Sequence, residues 1–178
     1  MFFGLTEEQE MIVGTVRSFV ENEIYPHENL VESKGSVPTE IAQDIKQKCI
    51  NLGFYACNFP ENIGGAGLNH LDFALVEREL GRGSMALTHF FGRPQNILMA
   101  CKDEQIEKYL LPAVRGDLMD ALAMTEPDAG SDVRGMKCFA KSEGSDWIVN
   151  GTKHFISGAE HADFIIVFIA TGEEKTEK

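Results

Sequence analysis

Through the first two thirds of the chain apolar residues recur at intervals of three and four, the period of helices that bury one face. Ile12, Val16, Phe19 and Val20 share one side of the first such segment, and Thr6 with Gln9 three residues on forms a capping box at its start. This predicts a helix from Thr6 to about Ile24, stopped by Pro26. Ile41, Ile45, Cys49 and Leu52 make the same stripe on a second helix, which Pro38 starts and Gly53 ends in the left-handed conformation. The stretch FPENIGGAGLN leads into a third helix capped by Asn69. Its apolar residues Leu71, Phe73, Leu75, Val76 and Leu80 lie on more than one side, which places it inside a bundle. A fourth helix is predicted from about Ser84 to Cys101 with a kink at Pro94, and a fifth from Asp103 to the region of Pro112 and Gly116.

After Gly116 the period shortens. Asp120 to Met124, Lys137 to Lys141, Trp147 to Val149, Lys153 to Ile156 and Phe164 to Ala170 read as strands. Asn150-Gly151, between the third and fourth of these, predicts a type I′ hairpin turn. The fold class is therefore α+β: an N-terminal all-α helical bundle over residues 1–116, then an antiparallel β domain over residues 117–178. That β domain reads as incomplete, because the charged tail GEEKTEK follows the most apolar strand at once. A strand with an unpaired edge predicts association of the isolated chain.

Charge narrows the partners. With 16 Lys and Arg against 28 Asp and Glu, the formal net charge is −12, and no basic run interrupts it. Such a surface repels phosphate backbones and anionic headgroups, so neither nucleic acid nor membrane is expected as a partner. An anionic coenzyme still binds where backbone N–H groups and hydroxyls are aimed at it. Cys49, Cys57, Cys101 and Cys138 form no CxxC pair and sit mostly among apolar neighbours, as reduced core residues of a cytoplasmic or organelle-matrix protein do. The N-terminus shows neither a signal-peptide nor a transit-peptide pattern, and the longest apolar run is too short for a bilayer, which together predict a soluble protein.

Candidate chemistry is sparse. Gly64-Gly65-Ala66-Gly67 lacks the Lys-Ser/Thr of a P-loop and reads as a tight turn between helices. The five histidines include no HExxH, and no metal site is expected. No GxGxxG opens a βαβ unit. What remains is the loop Ala121 to Asp132, rich in hydroxyls, Gly and acids. It offers the Thr125 hydroxyl and backbone N–H groups to a planar ring edge, and Gly130 with Ser131 to a pyrophosphate. An ordinary Asx/Pro loop explains the same residues, and chemistry alone leaves both readings open. A second candidate is the segment Trp147 to Ser157. On an outgoing hairpin strand Phe155 and Ser157, two apart, face one side, although the spacing by itself favours a plain hairpin with Phe155 in the core.

Taken together, ALAMTEPDAGSD followed by WIVNGTKHFISGA resembles, in order and separation, the two signature segments of the acyl-CoA dehydrogenase family. The opening TEEQEMIVGTVRSFVENEI, the loop PENIGGAGLN, the EREL ending the third helix and DEQIEKYLLPAVRGD are similar to the family's helical domain. The resemblance covers essentially the whole chain. It implies FAD as cofactor, with Leu122, Met124, Thr125, Gly130 and Ser131 at the isoalloxazine edge and pyrophosphate, Ser131 also along the acyl-CoA chain, and Phe155, Ile156 and Ser157 beside flavin N5. It implies oxidation of an acyl-CoA thioester to the trans-2-enoyl-CoA, electron-transfer flavoprotein or a similar acceptor as partner, and a homo-oligomer, tetramer or dimer, in the complete protein. The location implied is the cytoplasm, or the mitochondrial matrix if eukaryotic.

The family's Glu base comes from a second helical domain that these residues do not include. No catalytic residue is therefore assigned, Glu126 and Glu143 are not given the role, and the 178-residue chain is expected to be inactive. Phe155 stands where many members have Trp, and Gly158-Ala159 where Asn-Gly is more usual. Acyl-CoA oxidases and flavin monooxygenases share these motifs. A non-catalytic interaction module is the alternative of a different class, separated by whether the reading frame continues past Lys178.

Overall fold

α1 (Glu7–Phe19) starts at the predicted capping box: the Gln9 N–H donates to the Thr6 hydroxyl, and the Thr6 N–H donates back to the Gln9 side chain. These coordinates are a computed structural model and describe residues 4–171. They divide into two compact units that meet in sequence between Asp117 and Leu118.

The helix does not stop at Pro26. It passes through one widened turn, Val20–Ile24, in which the Tyr25 N–H reaches the Val20 carbonyl, and continues as α2 (Tyr25–Lys34) to Gly35. Proline breaks a helix by removing a donor and pressing on the carbonyl four residues back. Shifting the hydrogen-bond register just before the ring removes both conflicts. The same device recurs where the turn Ile106–Leu110 precedes Pro112 in the short α6 (Leu111–Arg115, its label following α4 and α5 below).

α3 (Thr39–Asn51) follows Pro38 and ends before Gly53 at φ 73°, as predicted. Ile45 and Cys49 are buried on it, whereas Leu52, the last residue of the predicted stripe, is exposed. Asn69 caps α4 (His70–Leu80) through the N–H groups of Leu71 and Asp72. The predicted fourth helix is broken into α5 (Met85–Thr88), a 3-10 turn His89–Phe91 and a second 3-10 turn Asn96–Ala100. Pro94 has no donor with which to continue the helix, and Gly92 at φ 85° turns the chain instead of a kink.

α1 packs on α4, and α3 on the His89–Phe91 turn. Phe91 is fully buried, edge-to-face with Phe19 at 5.5 Å between ring centroids and tilted against Phe54 at 6.0 Å. The one buried carboxylate of this unit's described core, Glu79 on α4, takes both fork nitrogens of Arg17 from α1 at 3.0 and 3.2 Å and Arg78 at 2.8 Å. The Arg17 hydrogen bond holds its carboxyl below the usual range against the opposing effect of burial.

The second unit is built on β1 (Asp120–Ala123), β2 (Phe139–Glu143), β3 (Asp146–Asn150), β4 (Phe164–Val167) and β5 (Ala170–Thr171). Helices followed by a small sheet agree with the α+β reading, but among the described strands antiparallel pairing holds only for β2 with β3. β1 pairs with β4 in parallel, Asp120 opposite Phe164, and β2 with β5 in parallel, Phe139 opposite Ala170. The predicted strand Phe164 to Ala170 is thus split between two sheets. β4 has β1 as its strand partner on one edge and no other among the described residues.

The hairpin is not at Asn150-Gly151. Glu143 opposes Asp146, so the two-residue loop is Gly144-Ser145, with Gly144 at φ 65° in the first central position that a type II′ turn reserves for glycine. The strand predicted over Lys153 to Ile156 does not form.

Candidate functional site

Beyond Asn150 the chain passes the residue before β2 so closely that a Cβ on Gly151 would lie 2.6 Å from the Cys138 Cα. It then runs beside the loop that follows β1. The His154 N–H donates to the Thr125 carbonyl at 3.1 Å, and the Lys153 ammonium donates to the Met124 carbonyl at 3.0 Å and to Glu126 Oε1 at 2.7 Å. The two candidate segments are therefore joined directly to each other, although not as a hairpin.

Met124 and Thr125 are half-buried at the end of β1, as is Leu122 within it. The tight turn after them is closed by mutual backbone hydrogen bonds between Glu126 and Ala129, which Pro127 favours by fixing its φ. Gly130 and Ser131 come next and are exposed, with open space where a Cβ of Gly130 would stand. Phe155 departs most from its prediction. It takes φ 56° where a strand residue was expected, and it is 86% exposed, which removes it from any core. Its ring lies against His154 at 4.1 Å between centroids. Ile156 is half-buried, and Ser157 is exposed at the start of a turn closed by Ala159 N–H to Ile156 carbonyl. Phe155 and Ser157 thus do not share a strand face. They flank Ile156 on an outward bend, held on one side by His154.

The residue pair that sequence reasoning missed is Glu126 with Lys153. Glu126 is 4% exposed and its carboxylate also accepts the N–H groups of Lys137 at 2.6 Å and Cys138 at 2.9 Å. Burial pushes this carboxyl up, but the hydrogen bonds from Lys153, Lys137 and Cys138 outweigh it and leave it below the usual carboxylate range. Glu143 sits at the exposed end of the hairpin. The available signal for the pair was weak: one Lys two residues before Phe155 and one Glu directly after Thr125.

Among the described residues the hydroxyls of Thr125, Ser131 and Ser157 make no hydrogen bond within the chain. An exposed aromatic ring, unpaired hydroxyls and a glycine with open space suit a flat, polar-edged ligand bearing phosphates, and FAD fits that description. The Gly64 to Gly67 loop does not compete for phosphate, since the N–H groups of Gly64, Gly65 and Gly67 bond the carbonyls of Glu61, Pro60 and Phe59. No helix of the described residues is long and apolar enough to cross a membrane.

Comparison with known proteins gives two family matches. Residues 6–117 match the family model described as acyl-CoA dehydrogenase, N-terminal domain, and residues 121–178 the one described as acyl-CoA dehydrogenase, middle domain. A 3-(aryl)acrylate reductase of Clostridium sporogenes is 37% identical over 100% of this chain and 47% of its own length. The caffeyl-CoA reductase-Etf complex subunit CarC of Acetobacterium woodii is 33% identical over 98% of this chain and 46% of its own. In structure, a glutaryl-CoA dehydrogenase from Mycobacterium smegmatis in complex with FADH2 superposes with a TM-score of 0.78 at 29% identity, covering 94% of this chain and 43% of that one. The chain spans about half the length of the curated relatives it matches.

Proposed function

The chain belongs to the acyl-CoA dehydrogenase family, and from that premise we propose that its second unit supplies one wall of an FAD site in an enzyme that oxidises an acyl-CoA thioester to the trans-2-enoyl-CoA. The observation that carries this reading is the direct link between the two segments, Thr125 carbonyl to His154 N–H at 3.1 Å, which sets a hydroxyl next to an outward aromatic bend. Members of the family are FAD-dependent. When bound, FAD would supply the hydride-accepting chemistry for the substrate β carbon.

Each residue of this chain has a holding role in that proposal. The Thr125 and Ser157 hydroxyls donate to edges of the isoalloxazine ring, Leu122, Met124 and Ile156 line it, and Phe155 covers it by ring contact. Gly130 and Ser131 take the pyrophosphate, with Ser131 also along the acyl-CoA chain. The base that removes the α proton is a Glu supplied from outside these 178 residues, consistent with Glu126 being held by Lys153. Electrons then pass to an electron-transfer flavoprotein or similar acceptor, a partner class supported by the printed name of the A. woodii relative. A homo-oligomeric assembly belongs to the same proposal.

Thr125→Val and Ser157→Ala test the site, because both keep local shape while removing one hydroxyl. Losing one such hydrogen bond costs roughly 0.5–1.5 kcal/mol, so each variant of the full-length protein is expected to bind FAD roughly threefold to tenfold more weakly. Thr39→Val, at the start of α3, is the control and leaves FAD affinity alone. Flavin fluorescence quenching measures all three. Affinity equal to the parent in both site variants contradicts the placement.

A further inference from the structure

Lys153 and Glu126 form a buried ion pair that touches three separate stretches of the second unit. Their side chains are 9% and 3% exposed. The ammonium binds Met124 and Glu126 after β1, and the carboxylate binds the N–H groups of Lys137 and Cys138 at the entrance to β2, while Lys153 itself lies beyond β3. Burying two charges seldom stabilises a fold more than apolar packing of the same volume would. Such a pair is better suited to fixing one arrangement of backbone among several, because any shift leaves a charge unpaired.

What it fixes is specific. Thr125 lies between the two atoms that Lys153 holds, the Met124 carbonyl and the Glu126 carboxylate. Phe155 follows Lys153 by two residues and takes φ 56°, a left-handed conformation that costs a bulky residue roughly 1–2 kcal/mol. Such a conformation persists only when its surroundings over-determine it. On the N-terminal side those surroundings are the Lys153 ammonium and the His154 N–H, both tied to the loop that carries Thr125.

We propose that Lys153 and Glu126 are positioning residues for the planar ligand: their ion pair holds the Thr125 edge and the Phe155 bend in register, so that hydroxyl and ring meet the same flavin. The role rests on the flavin reading above. Neither residue touches the ligand, and both act through backbone that does.

The test uses the full-length protein with Lys153→Met, Lys153→Arg and the double variant Glu126→Leu with Lys153→Met, titrated with FAD. Backbone amide exchange at Lys137, Cys138 and His154 is followed without FAD. Lys153→Met is expected to speed His154 exchange and weaken FAD at least tenfold, with a broadened flavin absorption band. Lys153→Arg, which keeps charge and two donors, restores most of both, whereas a purely space-filling role predicts no such rescue. The double variant, which leaves no orphan carboxylate, recovers stability but not FAD affinity, so it keeps the test open if Lys153→Met fails to fold. FAD affinity and band shape unchanged in the double variant, or His154 exchange unchanged in Lys153→Met, overturns the proposal. If the parent itself binds no FAD, the flavin reading fails, and the exchange arm alone decides whether the pair fixes the bend.

Discussion

Phe91→Ala is expected to destabilise the helical unit by about 3–5 kcal/mol, the range for removing a fully buried aromatic ring from a core. Phe91 has no exposed surface, packs edge-to-face on Phe19 from α1 and tilts against Phe54 beyond α3. Truncation therefore removes the ring on which two helical elements converge, and a turn anchored by a neighbouring backbone bond, Ala56 N–H to Gly92 carbonyl at 3.0 Å, cannot easily collapse into the space. Denaturant unfolding followed by far-UV circular dichroism reads the loss. Phe155→Ala is the informative contrast, since an 86% exposed ring leaves no cavity and stability should change by no more than about 0.5 kcal/mol. A large loss from Phe155→Ala would mean that its ring serves packing and not a ligand.

Gly65→Ala is expected to cost about 3 kcal/mol, the upper part of the usual range for overpacking. A Cβ at this position would lie 2.0 Å from the Phe59 carbonyl oxygen and 2.4 Å from its carbon. Backbone cannot rotate away as a side chain does. Yielding here also disturbs the carbonyl that accepts the Gly67 N–H at 2.8 Å and, one residue on, the Pro60 carbonyl that accepts from Gly65 at 3.1 Å. Thermal unfolding of the variant measures the effect. If the loop were a phosphate cradle instead, Gly65→Ala would weaken FAD while leaving the ligand-free stability near that of the parent.

The helical half was legible because its signals are local. A capping box, Asn69 as a cap and Gly53 as a terminator act within four residues of themselves, and all three behave as read. Proline was misread in both directions. Pro26 lies at the start of a new helical register and is accommodated, while Pro94 follows Gly92 at φ 85° and is not; a glycine two residues before the proline is the local difference, and the reading gave it no weight. The sheet was less legible because pairing is decided over long separations. Asn150-Gly151 has the better turn chemistry, yet Gly144-Ser145 takes the hairpin because β2 on its N-terminal side offers a full partner, whereas Lys153 is drawn to a carboxylate 27 residues earlier. For the same reason periodicity could not show that Phe155 points outward: at φ 56° its backbone has left the extended region, so alternation does not govern its side. The candidate residues themselves came from order and separation of motifs, which geometry then brought together at Thr125 and His154.

In the proposed site the loop after β1 and the bend at Phe155 to Ser157 face one flavin. The most direct test is a crystal structure of the full-length protein with FAD. The expected result is the isoalloxazine edge within hydrogen-bond distance of the Thr125 and Ser157 hydroxyls, the Phe155 ring in contact with the flavin, and the pyrophosphate against Gly130 and Ser131. Electron density for FAD elsewhere, with Thr125 and Ser157 still facing solvent, would contradict it.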